Sequence, residues 1–493
     1  MKPIYFFLLF GCVLSLLFSS GQVENPDTHL RLTQTRLLLQ DHRFGLPEDV
    51  GEDFHGNIAI NEKGQRHMVY NPGQTLFFVP IYYFSTLFSS NDVTQYYFSA
   101  YCVSFINYFI HALSAFFLFR IALLIGAEEK SAYLLSAFFG LTSYSFVFAQ
   151  STYEHHFEML FILMSMSSAL QENSRRPSLT SGLILSLSLV FRSTAILALP
   201  AILLMQKERT AKIRTLVGVL PGVVFLLIYN YFRFDNFFES GYSLAWTLAH
   251  GDKLDFWSVS RLPLGFLGLI FSPGKGLIFF STTLVVSLFG LRQFWLKNKL
   301  MFCSILLLSA IYLGVFSVNF AWHGSIWSFG PRYILPILPF LYLPIIYLKP
   351  KRWVITTIIV GFLMQIVLIS VNYKRAVLED YVRNNGLADN EYVFSFDKNP
   401  LLVQVKQLFV ILPKNSEVLR NYQPNSPWKK EIRTASNEEV LISSIEKNSI
   451  NFWWARIFHW QHSAVVKSLT VFLVFIALLG FIKLSQYART KIL

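Results

Sequence analysis

Eleven apolar runs dominate this chain, at about residues 4–20, 97–124, 131–149, 157–170, 179–205, 215–232, 277–294, 301–318, 333–348, 353–371 and 466–484. Several approach or reach the ~17–25 residues a helix needs to cross a bilayer. In hydrocarbon, backbone N–H and C=O groups must be satisfied within the protein, which leaves helices as the natural fold for such segments. The expectation is an all-α polytopic membrane protein. Charged residues, at 14% of the chain, fall well below the roughly 25% of soluble domains and support that reading.

Three runs carry irregularities. In 179–205, Arg192 of "FRST" is costly at mid-bilayer unless it faces a protein cavity, which predicts two half-helices meeting there. The run 75–90 is short and contains Pro80, and it reads as an interfacial or re-entrant helix. The first run has only Lys2 as a positive flank and no small-x-small site, so a retained helix is expected rather than a cleaved signal peptide. Cys12, Cys102 and Cys303 all lie in apolar runs and make neither a disulfide framework nor a zinc site.

Charge sorts the linkers into two sets. With the N-terminus on the same side, "GAEEK", "QENSRRPS", "QKERTAKIR", "FWLKNK", "KPKR" and the tail, together with Lys2, Arg120, Arg292 and Lys483, hold 18 Lys+Arg against 4 Asp+Glu, or +14. The other side holds 24 against 25, or −1, and the two make the chain's +13. This is the positive-inside pattern and predicts a cytoplasmic N-terminus. Basicity here marks topology, and no nucleic-acid partner is called for.

The opposite, outer face then receives the elaborate segments: 21–96, 150–156, 233–276, 319–332 and 372–465. The last reads as a small extracytoplasmic α/β or mixed domain, which returns to the membrane through the aromatic "FWWARIFHWQH". The organisation is a transmembrane bundle over 1–371, the soluble stretch 372–465, and a final helix with a cytoplasmic tail over 466–493.

Unusual polar clusters converge on that face: "ENPD", "QSTYEHHFE" at 150–158, "NYFRFDNFFESGY", "FSPGKG" at 271–276 and "FAWHGSIWSFGPRY" at 320–333. Asp27 and Glu154 supply carboxylates; Arg192, Lys275 and Arg332 supply cations. Plainer roles exist for each. Glu24 and Asp27 suit the start of the helix in "THLRLTQTRLLLQ", where Asp27 is a good N-cap. Glu154 and Glu158 suit a solvated helix face. "EHHFE" lacks the H-E-x-x-H spacing of a zinc helix, and "SPGKG" lacks a Walker A pattern, although its glycines suit an anion nest. Arg332 suits an interfacial anchor. Together, though, the parts fit one chemistry. Cations hold the phosphate of a lipid-linked sugar while a carboxylate deprotonates an acceptor hydroxyl.

In order along the chain, the acid past the first helix, "TRLLLQDHRFG", "YNPGQTLFFVPIYY", "QSTYEHHFEMLF", "GLILSLSLVFRSTAILALP", "GLIFSPGKGLIFFS" and "WHGSIWSFGPRYILPILPF" resemble the glycosyltransferase C superfamily. The branch resembled includes dolichyl-phosphate-mannose protein mannosyltransferases and the aminoarabinose transferase that modifies lipid A. The resemblance covers most of the chain and rests on the order of its motifs. It implies a glycosyltransferase C-type bundle with large outer loops, a catalytic base at Asp27, a second acidic position at Glu154, and phosphate contacts from Arg192, Lys275 and Arg332. The family often has two adjacent or D-x-D acids, and this chain departs from that with E-x-x-D; Glu24 is a further candidate catalytic acid. Tyr70 and Asn71 of "YNPGQ", His155 and His323 are candidate substrate contacts. No metal or other cofactor is expected.

The expected function is a hexosyl- or pentosyltransferase of the bacterial inner membrane, moving sugar from a polyprenyl-phosphate donor to a lipid A, polysaccharide or protein acceptor on the outer side. A transporter or flippase of lipid-linked sugars would favour internal repeats and mid-membrane ionisable groups. A non-catalytic glycan-binding scaffold would survive loss of Asp27.

Overall fold

The structure is a computed structural model and describes residues 2–23, 25–48, 50, 57–171, 175–250, 256–324, 329–372, 393–396, 399–411, 450–460 and 463–492. It opens with α1 (Pro3–Phe18), turns at Gly21 and enters α2 (Pro26–Gln40). An antiparallel hairpin follows, β1 (Ile58–Ile60) against β2 (Arg66–Met68), with Ala59 opposite His67. It is the one sheet among the described residues. Next come α3 (Gly73–Thr86), α4 (Asp92–Val103), α5 (Ile106–Leu124), α6 (Glu129–Thr142) and α7 (Tyr144–Phe148). Then follow α8 (His155–Ala169), α9 (Arg175–Phe191), α10 (Leu199–Met205), α11 (Arg209–Phe234) and α12 (Tyr242–His250). The later bundle holds α13 (Leu262–Phe271), α14 (Leu277–Phe280), α15 (Leu288–Lys297), α16 (Lys299–Val318), α17 (Leu338–Leu341) and α18 (Arg352–Ile369). Last are α19 (Pro400–Ile411), α20 (Trp453–Trp460) and α21 (Ala464–Ile492).

Among the described residues, five helical stretches are long and apolar enough to cross a membrane: Asp92–Leu124, Arg209–Phe234, Lys299–Val318, Arg352–Ile369 and Ala464–Lys491. Shorter apolar helices, among them Pro3–Phe18 and Pro177–Phe191, pack between them. The protein is a multi-pass helical membrane protein.

Besides 179–205, three expected spans are broken, and one of them, 131–149, breaks at Ser143 between α6 and α7. The run 333–348 is a 3-10 turn at Arg332–Ile337, then α17, then a second 3-10 turn at Leu343–Tyr347. Pro336, Pro339 and Pro344 each lack an N–H donor and clash with the preceding turn, so no regular α-helix continues through them. The run 277–294 also divides, at Ser281, whose Oγ accepts the N–H of Tyr144 at 2.9 Å. Within 233–276, read as a loop, α13 is an apolar helix packed on α16. Most of 372–465 lies outside the described residues, and the mixed domain expected there with it.

The aromatic return segment docks on the bundle. Trp453 and Trp454 donate their indole N–H groups to the carbonyls of Leu16 and Leu17 at 2.7 and 2.9 Å. Those are among the last carbonyls of α1, which no intrahelical donor reaches. At the α9–α11 crossing, Gly182 and Gly218 face each other. A Cβ on Gly182 would lie 2.2 Å from the Thr215 carbonyl oxygen, and one on Gly218 would lie 2.6 Å from that of Leu179. Small residues let helix backbones approach in this way inside a membrane.

Candidate active site

The site forms where α2 meets the loop before α8, and Thr152 joins them. Its carbonyl accepts from Thr28 Oγ1 at 3.0 Å and Gln74 Nε2 at 2.8 Å, and its hydroxyl accepts from Asn25 Nδ2 at 2.8 Å. Asn107 Nδ2 donates to the carbonyls of Ser151 and Tyr153 on either side. Buried loop carbonyls need such partners, and here the donors come from α2, α3 and α5. Asn25 and Thr28 of "ENPDT" thus fix α2 against "QSTYE".

Asn25 caps α2, accepting the Thr28 N–H at 2.8 Å. This corrects the N-cap reading of Asp27, which instead sits half-buried in the first helical turn behind Pro26. Asp27 faces the phenol of Tyr70, which burial, then the Asp27 charge, hold well above its ordinary pKa. Tyr153, Tyr242 and the Arg332 guanidinium also lie within the electrostatic reach of Asp27. Glu24 lies outside the described residues.

Glu154 and Glu158 are buried, at 3% and 1% exposure, so the solvated reading of both is overturned. Glu154 Oε2 lies 3.0 Å from Arg31 Nη2, and its Oε1 lies 2.8 Å from Arg192 Nη1. Arg192 Nε reaches Glu158 Oε2 at 2.9 Å. The other oxygen of Glu158 accepts from Thr194 Oγ1 and the Tyr312 hydroxyl, at 2.8 and 2.9 Å. Burial by itself raises the Glu154 carboxyl; the Arg31 and Arg192 charges outweigh it and hold the group below its ordinary value. Two arginines and two glutamates make this cluster electrically neutral, which low-dielectric burial requires.

Arg192 takes part because the helix breaks as its charge demands. α9 stops at Phe191, Arg192 is extended at φ −147°, and a 3-10 turn at Ser193–Ala198 leads into α10. The half-helix reading of 179–205 matches this geometry. Arg31 went unread as a site residue. It lies one turn past Asp27, on the same helix face, and its guanidinium stacks 4.1 Å over the Tyr70 ring. That i, i+4 spacing was the signal available in the sequence.

Arg332 is held differently. Its guanidinium lies 4.9 Å from the rings of both Tyr153 and Tyr333, and Nη2 donates to the Tyr333 hydroxyl at 3.1 Å. Its Nε is buried without a hydrogen-bond partner, and no carboxylate comes within ion-pair distance among the described residues. His155, 5.9 Å from Tyr333 by ring centroids, likewise has neither ring nitrogen partnered. Its neighbour His156 turns the other way and bonds the Ser145 carbonyl at 3.1 Å. Among the described residues, no group of three His, Cys, Asp or Glu is placed to hold a metal.

The remaining candidates lie around this centre. Asn71 Nδ2 donates to the Leu189 carbonyl at 2.9 Å, and a Cβ on Gly73 would lie 2.7 Å from the Val190 carbonyl oxygen, so the "YNPG" turn is docked on the end of α9. Lys275 is fully buried on the α13–α14 connection, its N–H donated to Ser272 Oγ at 3.0 Å. His323 is half-buried beside Trp322 past the end of α16.

Fold and site together define a multi-pass helical membrane protein with a buried, charge-balanced polar centre flanked by an acid and a cation. The sequence matches no protein-family model and no curated protein. A solved structure similar to it is the archaeal oligosaccharyltransferase AglB from Archaeoglobus fulgidus, in complex with an inhibitory peptide and a dolichol-phosphate. The similarity has a TM-score of 0.48 at 10% identity and covers 93% of this chain and 63% of that one. This chain therefore spans less than two thirds of that enzyme's length. At that level the likeness carries no argument about chemistry, which rests on the side chains above.

Proposed function

We propose that this protein is a glycosyltransferase that moves a sugar from a polyprenyl-phosphate-linked donor to a hydroxyl-bearing acceptor at the outer membrane face, with Asp27 as general base. The observation that supports the reading is a half-buried acid near an arginine that has no carboxylate within ion-pair distance among the described residues. Asp27 does not cap its helix, and Arg332 lies close enough to feel its charge. Asp27 takes the proton of the acceptor hydroxyl as that oxygen attacks the anomeric carbon. The bond from that carbon to the phosphate oxygen breaks, and the electron pair leaves with the polyprenyl phosphate. Arg332 meets the departing phosphate with its unpartnered N–H. A single displacement inverts the anomeric centre.

Glu154 and Arg192 serve as positioning residues in this reading. Their ion pairs orient Arg31, which packs on Tyr70 beside Asp27. His155 and Tyr70 line the sugar's side of the site, with Lys275, His323 and Asn71 further out. The membrane is a bacterial inner membrane, with the site facing outward.

The test is transfer of labelled sugar from a polyprenyl-phosphate donor in purified membranes, scored against protein amount. Asp27→Asn keeps the size of the side chain and removes its basicity, so transfer falls by about 10²-fold or more. Glu24→Gln has a milder effect. Full transfer by Asp27→Asn sinks the proposal.

A further inference from the structure

A groove of about 480 Å³ opens between α1, α6, α18 and α21, among Phe6, Phe10, Ala137, Ile358, Leu484 and Arg489. It lies by the first turns of α1, whereas the candidate active site lies past its last turn. The 16 residues of α1 separate the two by about 24 Å of helix. The lining is almost wholly apolar, and the volume falls within the ~300–1,000 Å³ of small-molecule sites.

The groove is built into the way α21 seats on the bundle. At one end Gly480 comes close to Val13, and Phe481 stacks on Phe362 at 5.8 Å between ring centroids. At the other, Lys491 pairs with Glu129 at 3.2 Å. Between these contacts α21 presents Phe481, Leu484, Ser485, Ala488 and Arg489, one helix face, toward the opening. On α18, Ile355, Ile358 and Ile359 face the same space. Arg352 lies one turn before Ile355 on that face. An apolar slot among membrane-spanning helices therefore ends in exposed cations.

We propose that this groove binds one anionic phospholipid, an acyl chain lying among Phe6, Phe10, Ile358 and Leu484 and the phosphate on the Arg489 guanidinium. The guanidinium fork matches a phosphodiester. Arg489 also belongs to the face with the +14 charge excess, where an anionic headgroup finds complementary charge. The site needs no glycosyl transfer and stands apart from that reading.

Full-length protein in neutral detergent is titrated with phosphatidylglycerol and, separately, with phosphatidylcholine of the same chains, and bound lipid is counted by native mass spectrometry. One phosphatidylglycerol is expected to bind roughly tenfold or more tightly than phosphatidylcholine. Arg489→Gln removes most of that preference, and Arg489→Lys keeps part of it. Ala137→Phe fills the slot and weakens both lipids, and Ile359→Trp does so from an exposed position should Ala137→Phe fail to fold. Equal binding of the two lipids overturns the proposal, as does phosphatidylglycerol binding unchanged in Arg489→Gln. A dimer whose interface seals the groove, lost in Ile359→Trp, overturns it in favour of a second copy of the chain.

Discussion

Asn25 Oδ1 accepts the N–H of Thr28 at 2.8 Å, so the cap of α2 and the acid of α2 are different side chains. Helix stability and proton transfer can be removed separately. Asn25→Ala is expected to lower stability by about 0.5–2 kcal/mol through the lost cap alone, with a further loss from its bond to Thr152. Asp27→Asn leaves the melting temperature in detergent unchanged. A lowered melting temperature in Asp27→Asn and none in Asn25→Ala reverses the assignment.

Glu154 offers the sharpest stability test. Glu154→Gln leaves Arg31, 1% exposed, without its one carboxylate partner among the described residues and makes the buried cluster positive. Breaking a buried pair from one side typically costs about 3–5 kcal/mol. The variant is expected to accumulate poorly and to melt well below wild type. Adding Arg31→Met should recover part of the loss by removing the stranded charge. Failure of the second substitution to restore any stability means that the pair is not coupled as the 3.0 Å contact indicates.

Arg332 separates a phosphate ligand from an anchor. Arg332→Ala is expected to weaken donor use by roughly ten- to a hundredfold, the worth of one charge-assisted hydrogen bond. Arg332→Lys should fall between, since a lysine keeps the charge and loses the fork. Steady-state rates against donor concentration give the answer. Unchanged donor dependence in well-expressed Arg332→Ala assigns the residue to the interface instead.

The α9–α11 crossing should tolerate no side chain. Gly182→Val places atoms against the Thr215 carbonyl oxygen, and overpacking of this kind costs about 1–3 kcal/mol or more. Thermal unfolding of the purified variant reads the loss. Gly64, whose Cβ would meet nothing, is exposed in the hairpin turn and serves as the contrasting site. There Gly64→Ala is expected to cost less, and only through its positive φ of 75°.

The proposed orientation rests on the +14 and −1 charge split. Single cysteines at Asn57 and Asn319 are expected to label from outside intact cells, and one at Lys351 is not. External labelling at Lys351 turns the molecule over and moves the candidate site to the cytoplasmic side.

The helical membrane architecture was legible in the sequence because hydrophobic run length and linker charge are local, additive signals. The break at Arg192 was legible for the same reason, since one charge inside an apolar run has few affordable arrangements. The three prolines of 333–348 are equally visible in the sequence and stand against an unbroken span there. Other features depended on residues far apart in the chain. Whether Glu154 is solvated or buried turns on Arg31 and Arg192, more than a hundred residues before it and some forty after. That Asn25 and not Asp27 caps α2 turns on how Thr152 pins the start of the helix. The chain alone determined which residues had to leave water and which polar clusters lay at the ends of its helices. Tertiary structure decided which charges neutralise one another, because an ion pair such as Glu154 with Arg31 and Arg192 forms only where the fold brings the groups to about 3 Å, and no local pattern states that distance.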